Sequence, residues 1–302
     1  MGKIAFVFSG QGDQFPGMGK NLYDNHSVAK DVFDICEELR GGTIEQCFNG
    51  SEEVLKETKN TQPCLFAMEY AAAKVLESEG IVPDAVAGFS LGEVSAATFA
   101  DVFDLKTGFE LVCKRGEYMQ GAAEKHETSM AAVVKLTHEQ IVELCGKYEN
   151  VYPVNFNCPG QITVSGLASE MISFISDVKD AGGRAIPLKV KGAFHSPFMN
   201  DASKSFASEL SKSNINKPKY KLYSNVTARE YGENIAELLS EQICSPVRWE
   251  EIIEHMIGCG IDTFIEIGPG KTLSNMIIKI SSDVKVYSVS DISTVFAEVQ
   301  NA

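Results

Sequence analysis

The apolar positions of the chain fall into short blocks separated by turns rich in glycine and proline, and the blocks alternate between two spacings. Ile4-Ala5-Phe6-Val7-Phe8 is unbroken and stops at Gly10-Gln11-Gly12-Asp13-Gln14. So short a run, with no polar alternation, predicts a strand buried on both faces that feeds a glycine loop. Helical spacing follows over about residues 25–39. Pro63 predicts a helix start, with Thr61 or Gln62 near the cap, and the helix runs to about residue 79. Ala85-Val86-Ala87-Gly88 is a second small strand after the turn residues Pro83-Asp84, and helices are predicted over residues 91–100 and 105–123. Strands alternating with helices in this way predict a mostly parallel sheet covered on both faces.

The middle of the chain changes character. Strands are predicted over 130–136, 151–156, 161–165 and 184–190. Helices are predicted from a Thr137 cap to 147 and over 170–181, with a turn at Cys158-Pro159-Gly160. The order βαββαβ is that of a ferredoxin-like unit. It predicts a small subdomain over residues 127–193, inserted into a large α/β domain formed by 1–126 and 194–302. The main pattern then resumes with a helix from Pro197, a strand near 221–223 and a helix over 249–258. A strand over 263–267 ends at Gly268-Pro269-Gly270, and a helix follows from Thr272.

Composition narrows the class of protein. Of 302 residues, 44% are hydrophobic and 23% charged, which is ordinary for a globular chain. No apolar run reaches the ~18 residues that span a bilayer. The first apolar stretch is too short for a signal peptide, and Phe6 stands where a myristoylation motif needs Ser or Thr, so a cytoplasmic protein is expected. Eight cysteines form no C-x-x-C pair, and no His/Cys cluster has ligand spacing. Buried thiols in a reducing compartment are expected, with no metal. A net charge of −14 argues against nucleic-acid binding and requires a local basic patch for any acidic partner.

Candidate chemistry centres on Gly88-Phe89-Ser90-Leu91-Gly92. A G-x-S-x-G pattern between a strand and a helix is a nucleophile elbow, whose sharp turn exposes the serine hydroxyl; a purely structural turn is the alternative. The helix starting at Leu91 aims free amides at the site. The hydroxyl needs a base. Of five histidines, His26, His126 and His138 lie in polar stretches and His255 in a helix, whereas His195 stands at the junction after the predicted insert. Arg115 falls into the apolar stripe Leu105, Phe109, Val112, Met119 and Ala122. A charge on a core-facing stripe is either a buried ion pair or a guanidinium fork for a substrate carboxylate.

These motifs together resemble the malonyl-CoA:acyl-carrier-protein transacylases over essentially the whole chain. The resemblance is carried by Gly10-Gln11-Gly12-Asp13-Gln14, Thr61-Gln62-Pro63, Gly88-Phe89-Ser90-Leu91-Gly92-Glu93, Arg115-Gly116 with Met119-Gln120, and Asn157 with Pro159-Gly160-Gln161. It continues through Gly192-Ala193-Phe194-His195-Ser196, Ser224-Asn225-Val226-Thr227, Pro246-Val247-Arg248-Trp249 and Gly268-Pro269-Gly270. It implies a hydrolase-like α/β domain with a ferredoxin-like insert, Ser90 as nucleophile, His195 as base, and an oxyanion hole from the amides of Gln11 and Leu91. It further implies Arg115 as the malonyl carboxylate clamp, Gln62 and Asn157 as substrate-binding residues, and a backbone carbonyl at Arg248 orienting the histidine. Phe194 resembles the motif version associated with malonyl rather than methylmalonyl selection. One departure is Phe89, where the family usually has His.

The implied partners are malonyl-CoA and an acidic acyl carrier protein, with no cofactor, and the resemblance suggests a monomer. Lys189 and Lys191 alternate onto one face of the strand leading to His195 and are candidates for the basic rim such a partner needs; a solvated strand end is the alternative. Two alternatives remain: a serine hydrolase of acyl carrier-protein thioesters, against which Arg115 speaks, and a non-catalytic module retaining the fold.

Overall fold

A computed structural model describes residues 2–188, 190 and 192–299. Lys189 and Lys191 lie outside the described residues. The strands are β1 (Lys3–Phe8), β2 (Ala85–Gly88), β3 (Thr128–Val134), β4 (Val151–Cys158), β5 (Gln161–Leu167), β6 (Arg184–Pro187), β7 (Lys221–Tyr223), β8 (Ile261–Ile267) and β9 (Lys285–Ser288). They form two sheets. The larger has the order β7-β2-β1-β8-β9, and every pair in it is parallel. The smaller has the order β4-β5-β3-β6, and every pair in it is antiparallel. The chain is therefore mixed α/β, with a parallel sheet and a separate antiparallel one.

The unbroken apolar strands follow from burial on both faces of the parallel sheet. Phe6 and Phe8 of β1, Val86 of β2, and Ile265 and Ile267 of β8 enter one core. Their neighbours Ala5 and Val7, Ala85 and Ala87, and Phe264 enter a second core on the opposite face. Successive side chains of a strand point to opposite faces, so one apolar run serves both. The smaller sheet has its own core, in which Ala131, Val133, Ile162 and Val164 meet Ile141, Met171, Phe174 and Val178 of the helices His138–Cys145 and Ala168–Asp180. Its other face contributes Met130 and Val154 to the main core. Backbone bonds between Val247 and the β4 residues Val154 and Phe156, each 2.9 Å, tie the smaller sheet to the segment before the helix Trp249–Gly258.

Several elements differ from expectation. The helix expected to open at Pro63 runs Thr58–Ser78, with Pro63 inside it. Its first turn is closed by local bonds: the amides of Asn60 and Thr61 both reach the Glu57 carbonyl at 2.8 Å, and Thr61 Oγ1 donates to the Leu55 carbonyl at 2.5 Å. Proline in the second turn then forfeits one intrahelical bond, and Gln62 faces the interior instead of capping an end. The strand expected over 184–190 ends at Pro187. The edge strand β9 and the helix Ile292–Val299 were not anticipated; β9 has a polar, half-exposed pattern that periodicity does not flag. Thr137 does cap its helix, and its own amide donates in return to the Gln140 side chain. Cys259 is exposed rather than buried, while Cys36, Cys47, Cys64, Cys145 and Cys158 are buried as expected.

The core of the smaller sheet yields a stability prediction. Phe174 is fully buried there, edge-on to Tyr148 at 6.0 Å between ring centroids. Phe174→Ala should destabilise the protein by about 3–5 kcal/mol, read as a lower urea midpoint. An unchanged midpoint would mean that this core contributes nothing to cooperative folding.

Candidate active site

Four parallel strands end at one edge of the larger sheet, and their carboxyl ends deliver Ser9, Phe89-Ser90, Ser224-Asn225 and Gly268 to the same region. Crevices outside such strand ends are where open α/β sheets bind ligands. The sharpest of these turns is at Ser90, whose backbone sits at φ 55°, ψ −106°. A left-handed serine costs about 1–3 kcal/mol and needs support from its surroundings. The flanking glycines supply room: a Cβ on Gly88 would overlap the Gly92 backbone, and one on Gly92 would overlap the Phe8 carbonyl. Asn225 supplies the bonds. Its Oδ1 accepts the Ser90 amide at 2.8 Å, and its Nδ2 donates to the Gly88 carbonyl at 2.6 Å.

The serine hydroxyl meets two of the residues singled out in the sequence. His195 Nε2 lies 2.7 Å from Ser90 Oγ, and an Arg115 terminal nitrogen donates to the same oxygen at 3.2 Å. His195 is itself left-handed, at φ 61°, so both partners of the short contact are strained. Arg115 is fully buried. Its hydrogen-bond partners are neutral: Gln62 Oε1 at 2.9 Å, Gln242 Oε1 at 2.7 Å and the Ser90 hydroxyl. Its Nε has no partner among the described residues. Burial pulls the guanidinium down to about 10, with the negative field of Glu93 opposing, so it remains charged at neutral pH. A buried cation with neutral partners and a spare N–H can accept an anionic group from a ligand.

The carbonyl that meets the histidine is not the expected one. His195 Nδ1 lies 2.8 Å from the Gln242 carbonyl. The Arg248 carbonyl instead accepts the Ile252 amide at 3.1 Å, because Arg248 is the N-cap of the helix Trp249–Gly258. Its guanidinium pairs with Glu251 on the surface. The expected motif was displaced by six residues, and nothing in the local pattern of Gln242 distinguishes it. Gln242 also acts through its side chain: Nε2 donates to the Ser90 carbonyl at 2.6 Å and to Glu93 Oε2 at 2.8 Å. Glu93 is fully buried and accepts the Asn225 amide at 2.8 Å and the Tyr231 hydroxyl at 2.6 Å on its other oxygen. Burial pushes its carboxyl up to about 7 against those three donors. Sequence reasoning assigned no role to Gln242, Asn225, Glu93 or Tyr231. Glu93 and Asn225 stood inside noted motifs, but only the fold shows what they hold.

The remaining candidates divide. Leu91 opens the helix Leu91–Phe99, so its amide has no intrahelical carbonyl to reach. Gln11 lies in the loop after β1, where Gly10 packs against Phe89 and places that loop beside the elbow. Gln62 joins the cluster through Arg115. Asn157 and Phe194 are buried but make no bond to the Ser90 group: Asn157 Nδ2 donates to Thr163 at 3.1 Å, and Phe194 packs in the main core. Phe89 packs edge-on against the buried Trp249 at 5.6 Å.

Comparison with known proteins places the whole chain in one family. The acyl transferase domain family matches residues 5–295, and the chain belongs to that family. It is 40% identical to the malonyl CoA-acyl carrier protein transacylase of Bacillus subtilis, over 99% of this chain and 97% of that protein. A crystal structure of malonyl CoA-acyl carrier protein transacylase from Clostridium perfringens superposes with a TM-score of 0.95 at 38% identity, covering 99% of this chain and 98% of that one. One chain of a solved complex of a type II PKS acyl-carrier protein with its malonyl-transacylase also superposes, with a TM-score of 0.95 at 32% identity, covering 99% of this chain and 100% of that one. Among the described residues, no helix is long and apolar enough to cross a membrane, and no group of three or more His, Cys, Asp or Glu could hold a metal.

The environment of His195 makes a pH prediction. Burial, with the positive field of Arg115, holds its imidazole down at about 4, against an ordinary 6.5. The folded state therefore binds its proton more weakly than the unfolded chain, so this stability is present above about pH 6.5 and is lost as pH falls toward 4. Imidazole NMR should show His195 neutral down to pH 5, and Arg115→Met should move its midpoint upward. A wild-type midpoint near 6.5 would contradict the burial argument.

Proposed function

We propose that the chain transfers a malonyl group from malonyl-CoA to the phosphopantetheine thiol of an acyl carrier protein, in two half-reactions through a malonyl-Ser90 ester. The observation that carries this reading is the Ser90 hydroxyl held between a neutral histidine at 2.7 Å and a buried cation at 3.2 Å. The Gln242 carbonyl fixes the histidine proton on Nδ1, so the Nε2 lone pair faces Ser90. In the first half-reaction the malonyl carboxylate takes the free donors of Arg115, which is kept in place by Gln62 and Gln242. Ser90 Oγ attacks the thioester carbon as His195 Nε2 takes its proton. The amides of Gln11 and Leu91 receive the developing oxyanion. The intermediate collapses with loss of the coenzyme A sulfur, which receives the proton from His195. The carrier-protein thiol then gives its proton to His195 as its sulfur attacks the ester carbonyl, and His195 returns that proton to Ser90 Oγ as the ester bond breaks.

The same proposal takes Asn157 and Phe194 as residues of the acyl pocket. Phe194 would disfavour an α-methyl branch by about 1–3 kcal/mol. It also takes the larger sheet as a hydrolase-like domain (1–126 and 194–302) and the βαββαβ unit (127–193) as a ferredoxin-like insert, whose sheet order β4-β5-β3-β6 supports that description. We place the protein in the cytoplasm, as a monomer serving fatty-acid synthesis.

Incubation with radiolabelled malonyl-CoA should leave label on the intact protein, and Ser90→Ala should abolish it. Persistence of label in that variant would exclude Ser90 as the nucleophile. Arg115→Ala should cost about 2–5 kcal/mol in malonyl transfer, read as kcat/KM. Undiminished transfer would remove Arg115 as the carboxylate clamp.

A further inference from the structure

The helix Thr58–Ser78 carries a second buried acid, outside the bonds described above. Glu69 is fully buried in a stretch that otherwise supplies the core residues Leu65, Phe66, Ala72 and Ala73. An apolar residue would fill such a position without the cost of desolvating a carboxyl group. That cost is visible: burial pushes Glu69 up to about 8, against the pull of two hydroxyls and with Glu266 adding to the rise. The two hydroxyls come from different arms of the site. Ser9 Oγ donates to Oε1 at 2.7 Å, and Ser95 Oγ donates to Oε2 at 2.6 Å. Ser9 stands two residues before Gln11, and Ser95 about one helical turn after Leu91. The space for Ser9 depends on Gly268, where a Cβ would overlap the Ser9 hydroxyl.

The rest of the loop after β1 is held from elsewhere. Asp13 bonds to Thr272 Oγ1 at 2.7 Å, and Gln14 reaches the Leu55 carbonyl at 3.2 Å while accepting the Gly12 amide at 2.8 Å. Those contacts fix the far end of the loop against other elements. The link through Glu69 ties its near end to the elbow helix itself.

We propose that Glu69 is a positioning residue: by strapping Ser9 to Ser95, it sets the spacing between the Gln11 and Leu91 amides and so governs the acyl-transfer step rather than thioester binding. The inference rests on the assignment of those two amides to the oxyanion. Donors aimed at developing charge accelerate a reaction only when their geometry is fixed beforehand, and a small misplacement costs rate while leaving ground-state contacts intact. Arg115 and its partners, which hold the acid end of the substrate, make no bond to Glu69, so binding and rate should separate.

In Glu69→Ala, kcat for malonyl transfer should fall about tenfold to a hundredfold while KM for malonyl-CoA stays within about twofold. Inactivation by a fluorophosphonate, which needs Ser90 and the oxyanion donors but no carboxylate clamp, should slow in parallel. Glu69→Gln, which offers an acceptor and a donor at the same shape, should recover most of both rates. A kcat within twofold of wild type, or a loss expressed in KM alone, would overturn the proposal. Should Glu69→Ala fail to fold, Ser9→Ala and Ser95→Ala replace it. Each should slow kcat, and the double variant should be no slower than the worse single one, since either breaks the same strap. Additive effects, or none, would overturn it. Malonyl labelling of Ser90 in the wild-type protein separates this outcome from a failure of the functional reading: label with an unaffected Glu69→Ala removes only the strap.

Discussion

The site depends on keeping one guanidinium charged inside the core with no carboxylate in direct contact. Arg115 is fully buried, and the groups that hold it are amide oxygens and a hydroxyl. A carboxylate in direct contact would stabilise the cation but would also occupy the donors that an acidic substrate needs. The protein meets this by distance. Glu93 supplies the compensating negative field, but Gln242 stands between them, accepting from Arg115 on its oxygen and donating to Glu93 from its nitrogen. One amide side chain thus relays the interaction while leaving a guanidinium N–H free.

The same residue fixes the histidine through its main chain. Serine, histidine and arginine are therefore coupled through Gln242, and the Ser90 carbonyl is held by its Nε2 as well. Among the described residues, no aspartate bonds to the histidine in the manner of a charge-paired triad. A carbonyl acceptor directs the Nδ1 proton without adding charge, which accords with an imidazole held neutral well below its usual range. Strain at Ser90 and His195 is carried by surrounding bonds, with Asn225 gripping both the Ser90 amide and the Gly88 carbonyl.

The parallel sheet gathers these parts from distant places in the chain. Residues 62, 90, 115, 195, 225 and 242 meet because their elements end at, or pack against, one edge of it. The smaller sheet takes one face of its core from its own helices and lends the other to the main core. Its backbone bonds to Val247 anchor the segment just after Gln242.

Much of this was legible from the sequence. Unbroken apolar runs beside helical periodicity encode a doubly covered parallel sheet, because burial on both faces leaves no polar alternation. A glycine on each side of Ser90 encodes the elbow, because backbone approaches backbone too closely there for a Cβ. Arg115 on an apolar stripe announces a buried charge, since periodicity alone puts it inside. Local patterns do not encode which distant group meets a buried polar atom. That Gln242, not Arg248, presents its carbonyl to His195, that Asn225 clamps the elbow, and that Glu69 joins Ser9 to Ser95 were decided by tertiary structure. Hydrogen bonds between residues separated by 26 to 135 positions are set by how the layers stack, and a buried polar group takes whichever partner that stacking brings within reach.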